Sequence, residues 1–323
     1  MQKIGYIFPG QGSQYIGMGL DLYEKYQSAR DIFDTANSVL GFDLKKICFE
    51  GPKEELSRTD ISQPAIVTMS IAALRALEYE IEVGADLRVC PNGGRTHRFA
   101  PTIAVGLSLG EYSALVAAGV LSFENTVKLV YRRGQLMQEE AEKHKGTMAC
   151  VLGMSREAVE KICKDTGVQI ANLNSPGQIV ISGLTDNMNK AAEMARSEGA
   201  SRVVMLDVSG AFHSRFMEGV GSRLEKELEQ VMFFKPKFSV IANVTANYQD
   251  SPEQIKKNLI NQVSGSVLWE DSVRLMAKDG ITTLLEIGPG SVLKSLIRHI
   301  DNNIKVYNIG KVKEVEDFKT LSF

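Results

Sequence analysis

Cysteine and histidine are scarce, with four of each in 323 residues. Cys48, Cys90, Cys150 and Cys163 are scattered, with no C-x-x-C pair and no metal-ligand spacing. That excludes a thiolate metal site and reads as a reduced protein. His97, His144, His213 and His299 contain no H-x-x-x-H pair, so no metal and no cofactor are expected. The net charge is only −2, too small a field to favour nucleic acid or a membrane surface. No apolar run approaches the roughly 20 residues of a membrane span. The opening MQKIGYIFPG enters a strand without the basic-then-apolar order of a leader. A cytoplasmic protein is the expectation. The chain is 44% hydrophobic and 24% charged, which suits a large core plus a subsidiary unit.

The pattern along the chain alternates strands and helices. Ile4 to Phe8 reads as a strand, ending in the turn-rich Pro9-Gly10-Gln11-Gly12. Helices are expected at about 20–40 and 63–77, then a strand at 102–105 and a helix at 111–118. Phe123 to Glu142 has the apolar spacing of a long amphipathic helix. Residues 147–207 read β-α-β-β-α-β, with Ser155 as a helix N-cap and Asn174-Ser175-Pro176-Gly177 as a hairpin turn. That order is ferredoxin-like. A helix at 215–230, strands at 238–242 and 283–287, and a helix at 252–262 follow. A last helix ends at Ile300. The fold class is therefore α/β. A parallel-sheet domain is expected over 1–145 and 208–323, carrying a ferredoxin-like subdomain over 146–207.

Chemistry centres on Gly106-Leu107-Ser108-Leu109-Gly110. G-x-S-x-G between a strand and a helix is a nucleophile elbow, which lifts a serine hydroxyl above a helix N-terminus. The pentapeptide alone is short enough to recur by chance. The alternative is a tight turn with a buried serine. Ser108 needs a base, and His213, downstream in the order such folds use, has a suitable pKa. No acidic third member shows by spacing; a backbone carbonyl could orient the imidazole instead. The Gly10-Gln11-Gly12 loop lacks the spacing of a phosphate cradle and fits an oxyanion loop better. Arg132 reads as a solvated base. Gly134, inside a helix, marks a close approach that would turn Arg133 inward. With no obvious acidic partner, Arg133 points to a substrate carboxylate.

These motifs, with Phe8-Pro9, Glu111-Tyr112-Ser113, Asn174 to Gln178, Phe212-His213-Ser214, Gln262 and Glu286 to Gly290, make the chain resemble the bacterial malonyl-CoA:acyl-carrier-protein transacylases. The resemblance runs nearly end to end. It implies a hydrolase-like α/β domain with a ferredoxin-like subdomain. It implies malonyl transfer from malonyl-CoA to acyl carrier protein, for fatty acid synthesis, through a malonyl ester on Ser108. His213 would be the base, oriented by the Gln262 carbonyl. Gln11 and the Leu109 amide would form the oxyanion hole, and Arg133 would hold the malonyl carboxylate. Phenylalanine before the base, here Phe212, goes with malonyl rather than methylmalonyl in the acyltransferase domains this chain resembles.

Two departures stand out. Leu107 replaces the histidine most relatives carry, which alters packing beside the elbow. The segment from Glu82 to Ala100 is polar, basic and rich in glycine, so an irregular loop is expected there. It feeds the N-terminal end of its strand, away from the carboxyl ends where sites form, and is expected to be dispensable for chemistry. A hydrolase using water as acceptor, and a catalytically silent carrier-binding module, are the rival readings.

Overall fold

The computed structural model describes residues 3–86 and 101–320. Ten strands form two sheets among these residues. In the first, β1 (Ile4–Phe8), β2 (Ile103–Gly106), β7 (Ser239–Ala242), β9 (Thr283–Ile287) and β10 (Lys305–Ile309) run parallel, and β8 (Asn247–Tyr248) closes the edge antiparallel. The order is β10-β9-β1-β2-β7-β8. β1, β2 and β9 are buried throughout. Tyr6 and Phe8 feed one core cluster, while Ile7 between them feeds another with Ile103, Val105 and Leu284. An apolar strand with both faces covered is what a parallel sheet requires.

The second sheet joins β3 (Gly146–Leu152), β4 (Gln169–Ser175), β5 (Gln178–Leu184) and β6 (Arg202–Met205) in the order β4-β5-β3-β6, all antiparallel. With helices Arg156–Thr166 and Thr185–Ser197, this is the ferredoxin-like β-α-β-β-α-β unit. The Ser155 hydroxyl accepts from the Ala158 N–H at 3.3 Å, as expected of an N-cap. The unit has its own core of Val159, Ile162, Ile181 and Met188. It meets the larger part where the Leu173 N–H donates to the Val267 carbonyl at 2.9 Å.

Several elements differ from expectation. The segment 20–40 splits at Tyr26, whose extended backbone (φ −106°, ψ 124°) separates helices Leu20–Lys25 and Gln27–Leu40. The helix expected at 63–77 runs Thr59–Asp86, with Pro64 inside it. The first five residues of the expected Glu82 to Ala100 loop thus continue a helix, and residues 87–100 lie outside the described residues. The chain does not end its structure at Ile300. β10 and a helix at Val312–Thr320 follow. β10 sits at the sheet edge and buries fully only Ile309, and the described part of the last helix buries Val315 and Phe318; such sparse apolar content gives little periodic signal. Short helices Leu44–Glu50 and Lys53–Ser57 and the Trp269–Lys278 helix were also not anticipated.

Glu286 lies on the buried strand β9 yet accepts the N–H groups of Leu293 and Lys294, both at 2.9 Å, and the Asn308 amide at 3.0 Å. It anchors the start of the Val292–Ile300 helix, where a carboxylate meets the positive end of the helix dipole. Burial pushes its pKa up to about 6.

The Phe123–Lys143 and Thr59–Asp86 helices touch at Gly134. A Cβ there would lie 2.6 Å from Asp60 Cα and 2.7 Å from the Thr59 carbonyl. Both are backbone atoms and cannot swing away. Gly134→Ala should therefore lower stability by about 1–3 kcal/mol, although alanine is the better helix former. Thermal unfolding of the variant checks this, and an unchanged or raised midpoint would show that the two helices can separate freely.

Candidate active site

The carboxyl ends of three adjacent strands converge. β2 ends at Gly106 and turns through Ser108 into the Gly110–Ala117 helix. Both glycines are dictated by space. A Cβ on Gly106 would lie 1.9 Å from Gly110 C, and one on Gly110 would lie 2.1 Å from the Phe8 carbonyl oxygen. The left-handed backbone falls on Ser108 itself, with φ 51°, a conformation costing about 1–3 kcal/mol for a residue with a Cβ. Asn243, directly after β7, holds the turn. Its Oδ1 accepts the Ser108 N–H at 2.6 Å, and its Nδ2 donates to the Gly106 carbonyl at 2.7 Å.

His213 also adopts a left-handed backbone, φ 56°, and is 5% exposed. Its Nε2 lies 2.8 Å from Ser108 Oγ. Its Nδ1 lies 2.8 Å from the Gln262 carbonyl and 3.2 Å from the Gly265 carbonyl. Carbonyls only accept, so Nδ1 carries the proton and Nε2 offers its lone pair to the hydroxyl. Burial and then the nearby Arg133 charge push its pKa down to about 4. The ring is a neutral base.

Arg133 is 1% exposed, while Arg132 is on the surface, paired with Glu139 and Glu227. Arg133 donates from Nη1 to Gln63 Oε1 at 2.8 Å and from Nη2 to Gln262 Oε1 at 3.0 Å. Nη2 lies 3.4 Å from Ser108 Oγ. Its Nε is buried without a partner. No carboxylate among the described residues forms an ion pair with it. The guanidinium sits 5.5 Å from the centre of the Tyr112 ring, and burial draws its pKa down.

The loop after β1 packs against the elbow. A Cβ on Gly10 would lie 2.4 Å from the Leu107 carbonyl oxygen and 3.0 Å from its Cδ2, so Leu107 packs over the loop. Gln11 lines a cavity of about 680 Å³ with Arg58, Thr59, Asp60, Val208 and Ser209. The Leu109 N–H, at the start of the helix, meets no protein acceptor among the described residues. Phe212 is 5% exposed and joins the main core beside the base. Its ring edge would lie 3.4 Å from a Cβ on Gly210.

The model of the acyl transferase domain family matches residues 5–318. The malonyl CoA-acyl carrier protein transacylase of Bacillus subtilis is 40% identical over 98% of this chain and 96% of its own length. That of Staphylococcus aureus is 37% identical over 98% of each. The chain belongs to the acyl transferase family, among the malonyl CoA-acyl carrier protein transacylases. Solved structures agree with that membership. The Coxiella burnetii transacylase superposes with a TM-score of 0.91, at 34% identity over 98% of this chain and 96% of that one. A malonyl-transacylase solved in complex with its type II PKS acyl-carrier protein gives 0.90, at 35% identity over 98% of both.

The structure brings Ser108, His213, Arg133 and Gln262 into contact, with Leu109 next to the elbow and Phe212 next to His213, and leaves Arg132 on the surface and Gln11 in the loop after β1. Glu111, Gln63 and Asn243 have contacts that sequence reasoning missed. Gln63 lies in the first turns of the Thr59–Asp86 helix, just before the apolar Pro64 to Val67, and Asn243 follows a short strand; both are fully or almost fully buried. A polar residue within an apolar run was the one signal available.

The depressed His213 pKa has a measurable consequence. Between its ordinary 6.5 and about 4, the unfolded chain binds a proton that the folded acyl transferase does not. The stability this residue contributes is therefore present above pH 6.5 and lost as pH falls through about 4. An NMR titration of the His213 ring should show its limb near pH 4. A limb near 6.5 would show that the imidazole is not desolvated as described.

Proposed function

We propose that this protein transfers a malonyl group from malonyl-CoA to the phosphopantetheine thiol of an acyl carrier protein, supplying fatty acid synthesis. Ser108 Oγ gives its proton to His213 Nε2 and forms a bond to the thioester carbon. The carbon–sulfur bond breaks, and coenzyme A leaves with the proton from His213. The carrier thiol then loses its proton to His213 and attacks the ester. Ser108 leaves and recovers the proton. The Gln262 carbonyl orients the imidazole, and the Leu109 N–H and Gln11 stabilise the oxyanion, where each donor is typically worth about 3 kcal/mol. The Ser108–His213 contact at 2.8 Å, beside a buried arginine with a free donor, carries this reading.

Residues 1–145 and 208–323 form the acyl transferase unit in this reading, and 146–207 the ferredoxin-like one, which has a core of its own. A cytoplasmic location is proposed as well. The three described cysteines are free, as in a reducing compartment, and no helix among the described residues is long and apolar enough to cross a membrane.

Intact mass after incubation with malonyl-CoA tests the function. A malonyl adduct on Ser108 that carrier protein discharges is expected, with none on Ser108→Ala. Rapid loss of the adduct in buffer would make the protein a hydrolase, and no adduct on the unaltered chain would make it a silent binding module.

Arg133 would hold the malonyl carboxylate through the donors now turned to Gln63, Gln262 and nothing. Arg133→Ala should lose malonyl transfer and gain relative activity on acetyl-CoA, since the clamp and the buried charge disappear together. Unaltered malonyl kinetics would remove the role.

Phe212 would fill the space an α-methyl must occupy. One methyl in a shaped pocket is worth about 1–3 kcal/mol, so malonyl-CoA should lead methylmalonyl-CoA by roughly 10- to 200-fold in kcat/KM. Phe212→Ser should narrow that lead in a competition assay. Equal use of both substrates by the unaltered enzyme would take Phe212 out of the specificity.

A further inference from the structure

Glu111 is a fully buried acid, 1% exposed, one helical turn beyond the nucleophile. No step above uses it, and its surroundings are organised around it. Its Oε2 accepts from Gln262 Nε2 at 2.7 Å and from the Asn243 N–H at 3.1 Å. Its Oε1 accepts from Gln249 Nε2 at 2.8 Å. Gln249 is in turn held by Asn258, whose Nδ2 donates to Gln249 Oε1 at 3.0 Å.

These bonds fix which way Gln262 faces. The Glu111 carboxyl, whose pKa burial raises, takes N–H donors from Asn243, Gln249 and Gln262, so Gln262 turns its amino group toward it. Its Oε1 then faces Arg133, which needs an acceptor. The same amino group lies 3.0 Å from the Ser108 carbonyl. A rotated amide would set two donors, its own and that of Arg133, against each other. The backbone carbonyl of the same residue takes the Nδ1 proton of His213. The Asn243 backbone is the second group held, and its side chain clamps the elbow.

We propose that Glu111 is the positioning acid of this site, setting the orientation of Gln262 and through it the seat of Arg133 and the carbonyl that aims His213. The proposal rests on the acyl-transfer reading above. It assigns the acid that the serine and histidine lack to a place one residue removed from the imidazole.

The test compares Ser108 acylation by malonyl-CoA and by acetyl-CoA in single turnover, read by intact mass. The unaltered protein must first form the malonyl ester; its failure would remove the function, whatever Glu111 does. Given that ester, Glu111→Ala should lower the malonyl-to-acetyl rate ratio about tenfold, the scale of a hydrogen bond to a charged group. Glu111→Gln should keep the ratio within about threefold, because an amide oxygen still accepts from Gln262. Gln262→Met removes the side-chain link and keeps the backbone carbonyl. Combining it with Glu111→Ala should lower the ratio no further than Gln262→Met alone, since both act on one path.

Equal losses on the two substrates, or additive effects in the double variant, would overturn the proposal. Should Glu111→Ala fail to fold by thermal unfolding, Glu111→Asp takes its place. Its shorter reach should also lower the ratio, and an unchanged ratio overturns the idea. Failure of both to fold would leave Glu111 a structural residue and end the proposal.

Discussion

A guanidinium with no ion-pair partner among the described residues has to be kept out of water at the centre of this site. Desolvating an unpaired charge is costly, and the surroundings of Arg133 answer that cost piece by piece. Gly134 lets two helices close to backbone contact, which carries the side chain inward. The Gln63 and Gln262 side-chain oxygens take one donor each, and the Tyr112 ring lies near the cation. Nε remains without a partner. The charge in turn acts on its neighbours. Together with burial it holds His213 neutral, with its Nε2 lone pair turned to Ser108.

Strain is the second constraint: of the three described non-glycine residues with positive φ, Ser108, His213 and Ala246, two meet at this site. Ser108 and His213 both take left-handed backbones. Ser108 is fastened from outside its own turn and His213 from within it. Asn243 bridges Ser108 N and the Gly106 carbonyl, and Ser214 Oγ donates to the Ala211 carbonyl at 2.6 Å beside His213. Because β1, β2 and β7 are neighbours in a parallel sheet, their carboxyl ends bring the glycine loop, the elbow and Asn243 to one edge. The elbow is thus held at the edge of the sheet, while His213 stands in a loop and is aimed by the Gln262 and Gly265 carbonyls.

The larger part of the fold was legible in the sequence. The buried strands announce themselves as apolar runs, and the ferredoxin-like order follows from the turn at Asn174-Ser175-Pro176-Gly177 and the cap at Ser155. Elements with sparse apolar content, β10 and the Val312–Thr320 helix, were not legible. Helix periodicity also misplaced both ends of the Thr59–Asp86 helix, since Pro64 looks like a start and polar residues after Leu77 look like a stop.

By itself the sequence determined the elbow, because a strand, two glycines and a serine at fixed spacing are local. It likewise determined that Gly134 must mark a close approach, since glycine in a helix has a local cost. The pairing of Ser108 with His213, the carbonyls that fix the imidazole tautomer, and the contacts of Glu111 with Gln249 and Gln262 were decided only by tertiary structure. Ser108 and His213, and Glu111 and its two glutamines, stand more than a hundred residues apart in the chain, and His213 stands 49 and 52 residues from its two carbonyls. The orientation of a side-chain amide depends on which donors and acceptors surround it, and no spacing rule encodes that.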